Sequence, residues 1–90
     1  MIGHRGAAAC APENTFAGFR TAKDVGCGWV EFDVRLTADG EPVLIHDNRL
    51  DRTTNGRGRV SGLSLAAIRH LDAGNWFHPI FAGERVPRLV

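Results

Sequence analysis

Ninety residues with 43% hydrophobic content allow one small globular unit and a modest core. A net charge of +1, from 11 Lys plus Arg against 10 Asp plus Glu, excludes the broad basic field of a nucleic-acid binder, so an anionic ligand must be held locally. No signal-peptide pattern follows Met1 and no apolar run approaches membrane-spanning length, which predicts a soluble, cytoplasmic protein without stable membrane insertion.

The first segment, "MIGHRGAAAC", starts apolar and turns polar and Gly-containing, as expected of a strand opening into a loop with His4 and Arg5 at its tip. Cys10 and Cys27 match no metal or redox spacing and are expected to be buried, reduced filler. "PENTFAGFRTAKDVGCG" then predicts a helix of about three turns. Asn14 or Thr15 is its N-cap, Phe16, Phe19, Ala22 and Val25 its apolar stripe, and Gly26 its stop. Strand, loop, helix and strand up to Val34 make a βαβ unit, which favours a parallel sheet with a right-handed crossover. In such sheets active residues gather at the carboxyl ends of strands.

"WVEFDVRLTADGEPVLIHD", residues 29 to 47, follows the period of two: Val30, Phe32, Val34 and Leu36 take one face, Glu31, Asp33, Arg35 and Thr37 the other. The turn at Asp39-Gly40 is too short for a parallel crossover, so the chain must double back and bring His46 and Asp47 near the same sheet. "NRLDRTTNGRGRV" reads as a loop or small hairpin turning at Asn55-Gly56. "SLAAIRHLDAG" predicts a short helix capped by Ser64, with Leu65, Ile68 and Leu71 or Ala67 inward and Gly74 ending it. The last segment, "NWFHPIFAGERVPRLV", has aromatic residues and prolines but no clear period.

Each polar motif has an ordinary reading of its own. Glu-x-Asp on a strand is more often a solvated face than a metal site. His4-Arg5 is an exposed loop pair by default, and His46-Asp47 a strand end with a turn-forming Asp. Collected on one rim, however, these carboxylates, histidines and arginine need a divalent cation and an anion to balance them. Glu31 and Asp33 offer hard oxygen ligands for Mg²⁺ or Ca²⁺. Arg5 offers a planar fork for phosphate oxygens, and His4 and His46 can share proton transfer near neutral pH. Phosphodiester cleavage is the chemistry those groups suit. His70, His78, Trp29, Trp76 and Phe77 read as surface or packing residues, with Phe77 a weak exception as a substrate contact, and Arg57 and Arg59 as a solvated loop.

The chain resembles the glycerophosphodiester phosphodiesterases through "GHRG" at 3–6, "PENT" at 12–15, "EFDVRLTADGEPVLIHD" at 31–47, "DRTTNGRGRV" at 51–60 and "LDAGNWF" at 71–77. These blocks stand in the family's order and span nearly the whole chain. The resemblance implies an α/β fold, the N-terminal portion of a TIM-type (β/α)₈ barrel. Barrel strands and the first helix would occupy residues 1–47, and a small insertion-like lobe that helps accept the glycerol residues 48–87. It further implies divalent-metal-dependent release of sn-glycerol 3-phosphate from small-molecule glycerophosphodiesters. Glu31 and Asp33 would be metal ligands, His4 and His46 the acid/base pair, and Arg5 a phosphate contact. In many family members a neighbouring hydroxyl of the substrate attacks phosphorus first, giving a cyclic intermediate.

A complete barrel of this type takes roughly 200 residues or more, so the barrel is expected to be incomplete in this chain, without the family's third carboxylate ligand and a nearby lysine. An open sheet edge predicts self-association. Two other readings are a non-catalytic chain with residual metal or phosphate affinity, and a related phospholipase D-type phosphodiesterase acting on lysophospholipids or sphingomyelin. The 51–60 and 71–77 blocks favour the glycerol-specific branch.

Overall fold

The structure, a computed structural model, describes residues 2–89. Strand β1 (Ile2–Gly3) leads through a loop to helix α1 (Phe16–Asp24), which returns the chain to β2 (Trp29–Val30). β1 and β2 pair in parallel, Ile2 opposite Trp29 and Gly3 opposite Val30, so the expected βαβ unit forms. Strands β3 (Val34–Leu36) and β4 (Pro42–Leu44) pair antiparallel, Val34 opposite Leu44 and Leu36 opposite Pro42. The turn between them puts Gly40 at φ 75°, a conformation glycine adopts without strain.

The single strand expected from Val30 to Leu36 is instead broken at Glu31–Asp33. The chain changes partner there. Glu31 N–H donates to Gly3 O at 2.7 Å, still bonding to β1, whereas Asp33 O accepts from Ile45 N at 3.1 Å, just beyond β4. Two small sheets therefore meet at this tripeptide, each using one of its ends.

Helix α1 begins where Thr15, 1% exposed, accepts from Gly18 N at 3.1 Å and donates to Pro12 O at 2.8 Å. It ends at Val25 and Gly26, the latter at φ 86°. Of the predicted apolar stripe, Ala22 is buried and Phe19 half-buried, whereas Phe16 and Val25 face out. Ala17, Gly18 and Ala22 are buried, while Phe16 and Val25 are 57% and 53% exposed. The β1–α1 loop explains this, because it crosses the helix at backbone distance: Ala7 N donates to Gly18 O at 3.1 Å. A Cβ on Gly18 would lie 2.7 Å from Pro12 O, so only small residues fit on that face.

The main hydrophobic cluster lies in the second half of the chain. Val43 and Ile45 pack with Leu50, Val60, Ile68, Ala73 and Val86, flanked by Leu63, Leu65 and Leu71. The closing segment returns to β4, where Leu44 N donates to Pro87 O at 2.9 Å and Leu89 N to Pro42 O at 3.1 Å. The small hairpin expected after Asp47 forms, with Arg49 bridging Arg59 antiparallel.

Helix α2 spans only Leu65–Ile68, with Ser64 accepting from Ala67 N as expected at its start, but it stops well before Gly74. The chain beyond it is captured by Asn55, whose side chain accepts from Asp72 N at 2.9 Å while its own N–H donates to Asp72 O at 3.1 Å. The Asp72 carboxylate then accepts from the backbone N–H groups of Gly74, Asn75 and Gly83. Those bonds hold its pKa below the usual range and fix the loop in place of helix.

Further expectations are corrected at the surface. Cys10 is exposed and Cys27 half-buried, both free. Cys10 lies in the loop after β1 and Cys27 just after the glycine stop of α1, at the edge of an apolar groove with Ile2 and Val25. Trp29, expected in the core, is 76% exposed because among the described residues β2 pairs with β1 alone. Trp76, 37% exposed, packs edge-on against half-buried Phe77 at 5.7 Å. His70 and His78 are surface residues as expected, and His78 caps a turn by accepting from Ile80 N at 3.1 Å. No helix among the described residues is long and apolar enough to cross a membrane.

Candidate active site

Parallel pairing puts the carboxyl ends of β1 and β2 at one edge, so His4 and Arg5, which follow β1, stand beside Glu31, which follows β2. His4 Nδ1 lies 3.0 Å from Glu31 Oε2, with the His4 side chain 67% exposed. The two atoms are not aligned for a hydrogen bond, and Glu31 Oε2, itself shielded from solvent, has no hydrogen-bond partner.

Arg5 occupies the left-handed region at φ 50°, and so does Asn14 at φ 54°. For Arg5 this costs about 1–2 kcal/mol, whereas asparagine adopts the region more readily, and the contacts between the two hold the conformation in place. Asn14, 2% exposed, donates its own N–H to Arg5 O at 2.8 Å. Its side-chain amide donates to Asp33 Oδ2 at 3.0 Å and accepts from Asp33 N at 3.3 Å. Asp33 is thereby fixed beside Arg5, whose Nε lies 3.5 Å from Asp33 Oδ2. That Nε is buried and has no hydrogen-bond partner.

The rest of the site is a chain of ion pairs. Arg5 Nη1 donates to Glu13 Oε2 at 3.3 Å. Arg52 grips the same carboxylate with two bonds, at 3.0 and 2.9 Å, and grips Asp47 with two more, both at 2.9 Å. Asp47 Oδ1 lies 2.9 Å from His46 Nδ1. Hydrogen bonds from Arg52 and then from His46 hold the Asp47 carboxyl far below the usual carboxylate range despite its partial burial. The same contacts, Asp47 first and Glu13 second, raise the Arg52 pKa above its already high ordinary value. A carboxylate that stays ionised can only accept, so Nδ1 must carry the His46 ring proton in the neutral imidazole. Nε2 is then the free acceptor. On its other side His46 is held through its carbonyl, which accepts from Arg35 Nε and Nη2 at 3.0 and 2.7 Å.

The sequence-predicted residues thus fall into two groups. His4, Arg5, Glu31 and Asp33 meet at the strand ends, and His46 joins them through Asp47, Arg52 and Glu13 and lines a cavity with Glu13 and Asn14. Glu13, Asn14, Asp47 and Arg52 were not among the predicted site residues. Their signal lay in the "PENT" run, the Asp after His46 and the first arginine of the 51–60 block.

A hard cation fits in part. Glu31 Oε2 makes no hydrogen bond although His4 Nδ1 lies 3.0 Å away, and carboxylate oxygens are what Mg²⁺ and Ca²⁺ prefer. Among the described residues no group of three or more His, Cys, Asp or Glu side chains is disposed to hold a metal ion, so Glu31 and Asp33 can supply only part of a coordination shell.

These features define an α/β protein with carboxylate, imidazole and guanidinium groups gathered at the carboxyl ends of parallel strands. The sequence profile of the Glycerophosphoryl diester phosphodiesterase family matches residues 4–90. The glycerophosphodiester phosphodiesterase of Caldanaerobacter subterraneus is 51% identical over 89 residues, 99% of this chain and 37% of that protein. The crystal structure of glycerophosphodiester phosphodiesterase from Agrobacterium tumefaciens superposes with a TM-score of 0.96 at 51% identity, covering 98% of this chain and 38% of that one. An Oleispira antarctica phosphodiesterase, solved with the product sn-glycerol-3-phosphate, gives a TM-score of 0.96 at 45% identity, with coverage of 98% and 36%. The chain belongs to the glycerophosphoryl diester phosphodiesterase family, and it spans little more than a third of the length of these relatives.

The depressed Asp47 pKa has a defined consequence for stability. Its contribution is fully present above the unfolded-state value of about 3.9 and is lost as pH falls toward the lower folded-state value. In urea unfolding, the stability gap between wild type and Asp47→Asn should be constant near neutrality and shrink once pH drops below about 4. A gap that stays constant down to strongly acid pH would contradict the assignment.

Proposed function

We propose that this chain carries the cation-binding, phosphate-binding and proton-transfer groups of a glycerophosphodiester phosphodiesterase, on the N-terminal portion of a (β/α)₈ barrel. The observation that carries the reading is two shielded groups of opposite need at the ends of β1 and β2: Glu31 Oε2, with His4 Nδ1 at 3.0 Å, makes no hydrogen bond, and neither does Arg5 Nε, 3.5 Å from Asp33 Oδ2. Buried polar groups are nearly always satisfied, so two such exceptions at the same strand ends suit a ligand with a cation on one flank and an anionic oxygen on the other. A metal-bridged phosphodiester has that form. Glu31 and Asp33 would hold a divalent cation, either Mg²⁺ or Ca²⁺, which when bound neutralises and polarises the phosphate.

In this reading Arg5 orients the phosphate through its free Nε. His46, with Nδ1–H committed to Asp47, presents Nε2 to the reacting oxygens. His4, half free at the strand end, is the complementary proton carrier. The substrate class is glycerophosphodiesters such as glycerophosphocholine, drawn from cytoplasmic lipid breakdown, and the relative solved with sn-glycerol-3-phosphate supports that choice. The lobe at residues 48–87 would receive the glycerol. We also place self-association at β2, where Trp29 is 76% and Val30 42% exposed on an edge strand.

Sedimentation velocity at high protein concentration should show a dimer or larger species, and a monomeric mass would contradict self-association. Release of sn-glycerol 3-phosphate from glycerophosphocholine should require Mg²⁺ or Ca²⁺. Glu31→Gln and His46→Ala should each lower kcat by about 10²–10⁴-fold. Turnover that survives both substitutions would overturn the assignment. Cation binding that is lost in Glu31→Gln, with no turnover in the wild type, would favour the non-catalytic reading instead.

A further inference from the structure

Arg52 lies outside the group of residues that would touch a phosphodiester, yet it makes four charge-assisted hydrogen bonds, two to Glu13 and two to Asp47. A guanidinium is the one side chain that can bind two carboxylates bidentately at once, because its donors form a rigid planar fork. Its position is set from a third side, with its guanidinium carbon 5.9 Å from the centroid of the Trp76 ring. Trp76 is anchored in turn by its Nε1–H, which donates to Ala73 O at 2.9 Å, and Ala73 belongs to the hydrophobic core.

The two acids it joins come from different parts of the chain. Glu13 belongs to the loop between β1 and α1, and its side chain is only 9% exposed. Asp47 follows β4 and forms the only side-chain hydrogen bond to the His46 ring among the described residues. Without Arg52, Asp47 and Glu13 would face each other as like charges across the space the guanidinium fills. Asp47 would swing toward water, and Nδ1 of His46 would lose the acceptor that selects its tautomer.

We propose that Arg52 is a positioning residue that, by tying Asp47 to Glu13, holds His46 in the Nδ1–H tautomer with Nε2 free for proton transfer. The inference rests on the reading of His46 as an acid/base group, but the contact it describes can be measured without substrate. The reach of the device is long. A residue of the lobe, 39 positions from Glu13, would set the protonation geometry of a histidine at the end of β4.

The test is long-range ¹⁵N–¹H NMR of the His46 ring in wild type, Arg52→Gln, Arg52→Lys and Asp47→Asn, with turnover of glycerophosphocholine measured in parallel. Wild type should show Nδ1–H. Arg52→Gln and Asp47→Asn should both shift the ring toward Nε2–H and lower kcat by about 10–100-fold, with KM little changed. Arg52→Lys, which cannot span both carboxylates, should restore only part of the loss. The Arg52→Gln/Asp47→Asn double variant should be no worse than Asp47→Asn alone, because both act through one contact. A wild-type Nδ1–H signal that persists in folded Arg52→Gln, or an unchanged kcat in that variant while His46→Ala is inactive, would overturn the proposal and leave the functional reading intact. A tautomer shift in Arg52→Gln with no turnover in any variant would support the positioning role and count against the functional reading.

Discussion

The structure depends on one carboxylate shared by two guanidiniums. Glu13 is nearly buried, and a charge in that position is tolerated only when fully paired. Its partners are Arg5, eight residues away just after β1, and Arg52, 39 residues away in the segment after β4. Satisfying one acid therefore fixes the strand tip, the loop entering α1 and the start of the second half relative to one another. His4, Asp33, Asp47 and His46 all hang from segments that this carboxylate holds.

The rest of the chain supports that arrangement without entering it. Val43 and Ile45 are central to the hydrophobic cluster, so the strand that delivers His46 is anchored by the core of the second half. Asp72 plays for the segment after β4 the part that Glu13 plays for the site: it gathers three backbone N–H groups and the Asn55 side chain around one residue. Ionised acids organise both regions, one through guanidiniums and one through backbone amides. The two left-handed residues, Arg5 and Asn14, mark where strain is kept so that Asp33 and the Arg5 guanidinium face each other.

Local chemistry was legible in the sequence, and tertiary choices were not. The Thr15 cap, the Gly26 stop, the turn at Gly40 and the parallel β1–β2 pairing all follow from short-range rules. That His4, Arg5, Glu31 and Asp33 gather at one edge was legible because alternation and strand order put them there. The break at Glu31–Asp33 left no mark, since alternation continues through it and only the partner strand changes. The apolar spacing of α1 put Ala22 inside correctly but also pointed to Phe16 and Val25, where the approach of the preceding loop selected Ala17 and Gly18. α2 was cut short by an Asn55–Asp72 clamp 17 residues apart in sequence, and the Glu13–Arg52 pair is more distant still. Contacts of that separation have no local signature.

The central claim is that Glu31 and Arg5, at the ends of β2 and β1, bind a cation and an anionic oxygen in one site, so that each ligand favours the other. Calorimetric titration of sn-glycerol 3-phosphate, with and without saturating Mg²⁺, tests it most directly. The account predicts that the cation tightens binding by about 5-fold or more, with the same factor when the order of addition is reversed. The coupling should disappear in both Glu31→Gln and Arg5→Gln. Glycerol phosphate affinity in the wild type that is indifferent to the cation would contradict it.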